Sequence, residues 1–463
     1  MRFSKTIFSF LTSFLLISAS VSAGEREQAK RIYSILTGGT ANKAKADKYE
    51  QTLKTKGAKA LADEIIESGD GFYNTTLRNF FAPTTNEDGS MAVDFNDMTA
   101  TLIGITRDAD GTTTYNNGQR IKFFDVFYKD VMYQYDPRDL VPEADAFTVV
   151  YDTNKMPLSV CGSNAIDPGV EAVEANCIPR KIYYDHRNDK DHVYLPKYGV
   201  AIPEYNRVMN SHHAALQKYN LPYGDRKLFR NRGQHAFTTL QEDAIAGVFS
   251  TRAFAEAYYQ GGTNRTPFQY FARNFMCLEM EQLNDTSIAD FKVRRDVDRV
   301  PGGVTETYKN YCVGCHAGQD ALGGAFAYYD FVNGRMIYRS HDPNDDGKIV
   351  DGVAPKINLN NLFANGKVVV NDSWMNLWNK GQNAYIGWGE TQTGNGAASI
   401  GKMLSETKQV RSCMSKKVYE AVCYNSVLSS TDKEVIELYA NDFDKDGNLK
   451  NLFAKMAVYC MGE

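Results

Sequence analysis

Several signatures that would assign a chemistry outright are missing from this chain. It contains no G-x-S-x-G elbow, no H-E-x-x-H and no phosphate-binding P-loop, so no hydrolase, metalloprotease or nucleotide site is legible. There is no second C-x-x-C and no H-x-x-x-H pair, so a four-ligand zinc site has nothing to complete it. Neither sign of charge dominates: 52 Lys and Arg stand against 56 Asp and Glu, for a formal net charge of −4. That balance carries no nucleic-acid footprint. Beyond the N-terminus no long apolar run is free of charge. The expectation is a soluble chain with no transmembrane anchor after signal cleavage.

What is present begins at the N-terminus. Arg2 and Lys5 form a positive start, residues 7–19 are apolar with interspersed Ser and Thr, and Val21-Ser22-Ala23 ends in small residues. This pattern reads as an export signal over residues 1–23, with the mature chain starting near Gly24. No cysteine follows the cut, which argues against a lipid-anchored end. The expected location is periplasmic or otherwise exported.

Residues 312–316 read Cys-Val-Gly-Cys-His. C-x-x-C-H behind an export signal is the attachment pattern of a c-type haem. The spacing has a physical reason. Helical positions i, i+3 and i+4 share one face, so Cys312, Cys315 and His316 can address one macrocycle. The two sulfurs become thioethers and His316 becomes the proximal iron ligand. A redox-active disulfide between Cys312 and Cys315, or half of a zinc site with His316, are the competing readings. The expected cofactor is one covalent haem c. The expected partners are the cytochrome c maturation machinery and periplasmic redox partner proteins.

The ligand on the other iron face is the open question. Met276, Met280, Met336, Met375, Met403 and Met414 are candidates, as are His212, His213, His235 and His341. Met375 has the best context. Trp374, Trp378 and Trp388, all three tryptophans of the chain, surround it, and a haem needs a dry aromatic wall. Ordinary core tryptophans are the competing explanation.

The remaining six cysteines, Cys161, Cys177, Cys277, Cys413, Cys423 and Cys460, are even in number. In an exported chain that suggests disulfides. Connectivity is not readable, although Cys161 with Cys177 is the best guess, and buried free thiols remain the alternative. Two acidic stretches, Asp342 to Ile349 and Asp442 to Leu449, follow D-x-[DN]-x-[DN]-G and resemble calcium loops. Both lack the Glu at position 12, which is Val353 in one and Phe453 in the other. Polar turns without metal are the favoured reading, with calcium the alternative.

The expected fold is mainly α, a cytochrome c-like haem region embedded in a larger helical protein with a small irregular α+β middle. The segments are a helical one at 24–80, an irregular one at 81–203, the haem-binding region at 204–404 and a helical one at 405–463. Helical periodicity is clearest at 29–36, 43–54, 58–67, 405–421, 432–439 and 449–459. Residues 147–151 and 181–184 read as strands among frequent turn signals. A weak repeat relates the ends: Arg31-Ile-Tyr33 and Lys417-Val-Tyr419 each open a helical run. Ordinary amphipathic helices compete as its explanation.

After the haem motif the chain reads Ala-Gly-Gln-Asp320-Ala-Leu-Gly323-Gly-Ala325, then Tyr329-Asp330 and Gly334. With Gly247-Val-Phe-Ser-Thr-Arg252, Gly262-Thr-Asn-Arg265 and Arg411-Ser-Cys413, this resembles the planctomycete-type cytochrome c-domain proteins. The similarity spans roughly residues 240–463. Where that family often has Asp-Pro-Leu-Gly, this chain has Asp320-Ala-Leu-Gly323. The resemblance implies an exported haem protein and little about its reaction. The chain is read as an exported mono-haem c-type cytochrome, more an electron carrier than an enzyme. A haem-dependent oxidoreductase with an open iron face, or an envelope binding protein with structural haem, remain alternatives.

Overall fold

A computed structural model describes residues 24–68, 71–91, 97–135, 148–151, 157–161, 177–179, 229–231, 244–259, 265–288, 301–332, 335–338 and 371–462. The described chain is mostly helical. Its strands form small antiparallel sheets of two or three.

The first three helices are α1 (Glu25–Thr37), α2 (Lys43–Lys56) and α3 (Ala58–Glu67). They lie where the apolar periodicity put them. Asn42 starts α2 by accepting from Lys45 N at 2.9 Å, an N-cap that satisfies one of the open amides of the first turn. Gly38 ends α1 at φ 67°, in the left-handed region that glycine enters without a Cβ penalty. A short α4 (Arg78–Phe81) leads to α5 (Asp97–Asp108).

Helix α5 was not legible in the sequence. All twelve of its residues are buried. A helix surrounded by protein has no polar stripe, and the 3.6-residue pattern that identifies a surface helix disappears. Its Gly104 lies against Tyr133, where a Cβ would approach the ring to 2.1 Å.

The middle of the chain supplies β1 (Tyr133–Tyr135), β2 (Thr148–Tyr151), β3 (Pro157–Cys161), β4 (Cys177–Pro179) and β5 (Phe229–Asn231). β2 matches the strand expected at 147–151. Strand β1 pairs with β5, and β2, β3 and β4 form one sheet in that order. The register sets Cys161 opposite Cys177. The strand expected at 181–184 lies outside the described residues.

Next come α6 (Arg252–Tyr258), α7 (Thr266–Phe271), α8 (Thr305–Tyr311) and α9 (Val313–Gly323), then the hairpin β6 (Tyr329–Val332) and β7 (Arg335–Tyr338). A second hairpin joins β8 (Ser373–Met375) to β9 (Thr393–Asn395). Four helices close the described chain: α10 (Gly396–Glu406), α11 (Lys408–Cys423), α12 (Ser430–Asp446) and α13 (Leu449–Tyr459). The helix expected over 405–421 is in fact split at Thr407, whose backbone turns extended.

The two ends are built alike. α11 ends in a left-handed residue, Tyr424 at φ 53°, as α1 ends in Gly38. Ser429 caps α12 through Asp432 N as Asn42 caps α2. A positive-φ glycine, Gly57 or Gly447, separates the second and third helices of each set. The sets pack on each other through α3 and α13. One cluster of buried side chains runs from Ala29 to Ala457, with Phe72 meeting Phe453 edge-on at 5.4 Å. The first and last segments therefore share a core.

Two disulfides brace this core. Cys277 pairs with Cys413, and Cys423 with Cys460, with Cα separations of 5.4 and 5.3 Å. The first ties the chain entering the C-x-x-C-H region to α11. The second joins the end of α11 to the end of α13.

Candidate functional site around Cys312, Cys315 and His316

Helices α8 and α9 are nearly continuous. Cys312 sits at the break as the N-cap of α9 and donates its N–H to Tyr308 O at 2.9 Å. His316 N donates to Cys312 O at 3.0 Å. This local geometry turns the spacing of the motif into a shared face. Cys312, Cys315 and His316 are all half-buried, while Gly314, Ala317 and Gly318 on the other side of the helix are buried. Helix α9 therefore shows its C-x-x-C-H side outward and packs through its small residues.

The inner side is held by close approach. A Cβ at Gly314 would come within 1.7 Å of Asn284 Oδ1, and one at Gly318 within 2.1 Å of the Trp378 ring. Only glycine permits these contacts. Asp285 N donates to Gly314 O at 2.9 Å. Leu377, Val313 and Ile288 pack on Ala317 and Ala321.

The tryptophans do assemble next to the motif helix. Trp378 is fully buried and contacts Phe268 and Trp388, with centroids 5.7 and 6.5 Å away. Trp374 donates Nε1–H to Ser399 Oγ at 2.6 Å. Their placement differs from the expected haem wall. Gly318, which Trp378 covers, is two residues beyond His316, about 200° round the helix. The Trp378 ring thus packs on the opposite side of α9 from His316. Met375 is half-buried in β8, paired with Thr393. Beyond Met375, Leu377 packs on Ala317 and Ala321, and Trp378 covers Gly318.

The other described methionine candidates are spent on packing. Met276, Met336, Met403 and Met414 belong to the main buried cluster. Met280 is also buried, and its carbonyl accepts from Cys315 Sγ at 3.4 Å. His212, His213, His235 and His341 lie outside the described residues.

Cys312 and Cys315 are free thiols, whereas Cys277, Cys413, Cys423 and Cys460 are all disulfide-bonded. Burial pushes the Cys315 thiol up from its ordinary value, and the Glu281 and Cys312 charges add to that. A thiol held protonated is a poor nucleophile and a poor zinc ligand. Among the described residues no three His, Cys, Asp or Glu side chains converge to hold a metal ion.

His316 is oriented through Nδ1. Asp320 Oδ1 lies 3.5 Å from it and Arg265 Nη1 3.3 Å. The Tyr308 ring stands 6.3 Å from the imidazole, centroid to centroid. Among the described residues no hydrogen bond engages Nε2. Neither Asp320 nor Arg265 was singled out for a role from sequence. The His316–Asp320 spacing of i,i+4 could have flagged the first, but nothing local could have flagged Arg265.

The acidic stretch at Asp442 is not a loop. Asp442, Asp444 and Asp446 lie on the last turns of α12, and Gly447 is its left-handed cap. The carboxylates diverge to separate partners. Asp442 binds Lys455 at 2.6 Å, Asp444 binds Arg411 at 2.6 Å, and Asp446 accepts from Asn448 N and Asn451 Nδ2 at 2.8 Å. The glycine that suggested a calcium turn is a helix stop. The similar stretch at Asp342 lies outside the described residues.

Comparison of the chain with protein-family models, with curated proteins and with solved structures finds no match.

Proposed function

We propose that this chain is an exported mono-haem c-type cytochrome that transfers one electron at a time between periplasmic redox partners. The observation that carries the reading is the state of the motif. Two unpaired thiols and an imidazole with Nε2 unengaged share the outward face of one helix, in a protein whose other described cysteine side chains are closed as disulfides. The donor set fits haem c. Cys312 and Cys315 would anchor it through thioethers, and His316 would present Nε2 to the iron. Bound there, the haem supplies a one-electron ferric–ferrous couple.

The chain's own residues do the rest. Gly314 and Gly318 let α9 sit flat on Asn284 and Trp378, which fixes the spacing of the three attachment atoms. Tyr308 packs beside the imidazole, and Asp320 with Arg265 determines its orientation. The disulfides are compatible with an exported protein. No helix among the described residues is long and apolar enough to cross a membrane. The resemblance to planctomycete-type cytochrome c-domain proteins points the same way.

A haem-dependent oxidoreductase with an open iron face is the second reading. It is favoured by Trp378, which packs on α9 at Gly318, about 200° round the helix from His316. Carbon monoxide added to the reduced protein separates the two: no spectral change supports the carrier, and binding supports the open site.

The first test is a haem stain of denatured protein after export with cytochrome c maturation proteins. The expected result is staining that survives denaturation and disappears in the Cys312→Ala/Cys315→Ala variant. An unstained wild type, made under conditions that mature a control cytochrome, would falsify the reading.

A further inference from the structure

The imidazole nitrogen that His316 turns away from the outward face has two neighbours of opposite character. Arg265 Nη1 is 3.3 Å from Nδ1, Asp320 Oδ1 is 3.5 Å from it, and these two are 3.7 Å from each other. A guanidinium only donates and a carboxylate only accepts. They therefore suit different tautomers of one ring. Arg265 donates to a bare Nδ1, and Asp320 accepts from Nδ1–H. A metal at Nε2 leaves Nδ1 as the place for the ring hydrogen, and the group bonded there sets ring orientation and ligand basicity.

Resting on the haem reading above, we infer that Arg265 and Asp320 form a tautomer-selecting clamp on His316. Arg265 donates to Nδ1 in the haem-free chain. When Nε2 ligates iron, Asp320 accepts the Nδ1 hydrogen and Arg265 pairs with the carboxylate. Asp320 is a positioning residue that acts through the imidazole.

The surroundings favour such a device. The Asp320 side chain is 1 % exposed, so its hydrogen bond acts in a low dielectric, where it is strong. Both members of the clamp are anchored to α9. Asp320 lies on the helix, and the Arg265 carbonyl accepts from Gln319 Nε2 at 3.3 Å. The electronic consequence has a definite sign. A carboxylate on Nδ1–H makes the imidazole more electron-rich and favours ferric iron, lowering the potential. Arg265 neutralises that carboxylate and opposes the effect.

The test is a redox titration of the haem-loaded, exported protein with Asp320→Asn, Asp320→Glu and Arg265→Gln. Asp320→Asn should raise the ferrous-to-ferric ratio at fixed ambient potential by about tenfold, equivalent to about 59 mV for one electron. Asp320→Glu should recover part of that shift. Arg265→Gln should move the ratio the other way, and it stands alone as the test if Asp320→Asn does not load haem. A wild type without covalent haem would overturn the haem reading itself. Loaded variants that match wild type, or that both shift in one direction, would overturn the clamp and leave the haem reading intact.

Discussion

In the helices at the two ends of the chain every described cysteine is closed, while in α9 both cysteines stay open. Cys413, Cys423 and Cys460 lie in or beside α11 and α13 and are disulfide-bonded. Cys312 and Cys315 are thiols. The packing differs in the same direction. The end helices interlock through large side chains such as Phe72, Phe443 and Phe453 around a common core. The motif helix docks through glycine and alanine and keeps its reactive face outward. The first arrangement resists unfolding. The second holds three atoms at fixed spacing while leaving them accessible. The braced core and the candidate site thus occupy two parts of one fold.

That division can be broken from either side. The largest effect belongs to Cys312→Ala/Cys315→Ala. It should abolish covalent haem, read by the stain, while thermal unfolding of the haem-free protein stays near that of the haem-free parent. If the variant also loses the disulfide-braced fold, the two regions are not separable.

Removing the Cys277–Cys413 disulfide should do the reverse. Its partners are 136 residues apart, and loss of a native disulfide costs about 2–5 kcal/mol, more for longer loops. Denaturant unfolding would show it. The Cys423–Cys460 pair closes a separation of 37 residues and should cost less.

Gly318→Val tests the rear packing of α9. Its Cβ alone would overlap the Trp378 ring, and overpacking costs about 1–3 kcal/mol. The expected signs are a lowered Tm and a changed tryptophan fluorescence. An unchanged Tm would mean that the indole moves aside freely.

A smaller effect is expected at Lys417 on α11, whose amine burial pushes down to about 8. The unfolded chain then binds more protons than the folded one between about pH 8 and the ordinary lysine value. Stability should rise with pH through that window, and the cost should be fully present below it. Lys417→Met should raise Tm at pH 7 and flatten the rise. The smallest effect is at Tyr311, which precedes the motif and is 83 % exposed. Tyr311→Ala should change stability by less than about 0.5 kcal/mol.

How much was legible follows from how far each signal reaches along the chain. Helices α1, α2, α3 and α13 could be read because each buries one stripe and wets the other. Helix α5 could not, because no side of it is wet. The pattern at Asp442, read as a polar turn, proved to be a helix end because alternating carboxylates before a glycine fit a turn, a metal loop and a helix end alike. Only the partners Lys455, Arg411 and Asn451 distinguish them. Trp378 packs on the motif helix at Gly318, a contact across the fold that no local signal announces. Neither disulfide seen among the end helices was readable, since pairing is decided by where distant backbones meet.

The sequence by itself determined that Cys312, Cys315 and His316 share a face, because a helix fixes the relation of positions three and four apart without outside help. Tertiary structure alone decided that this face turns outward, that aromatic packing lies behind it, and that Arg265 meets Asp320 at the imidazole. Those outcomes depend on residues far apart in the chain, which the burial of a common core brings within contact.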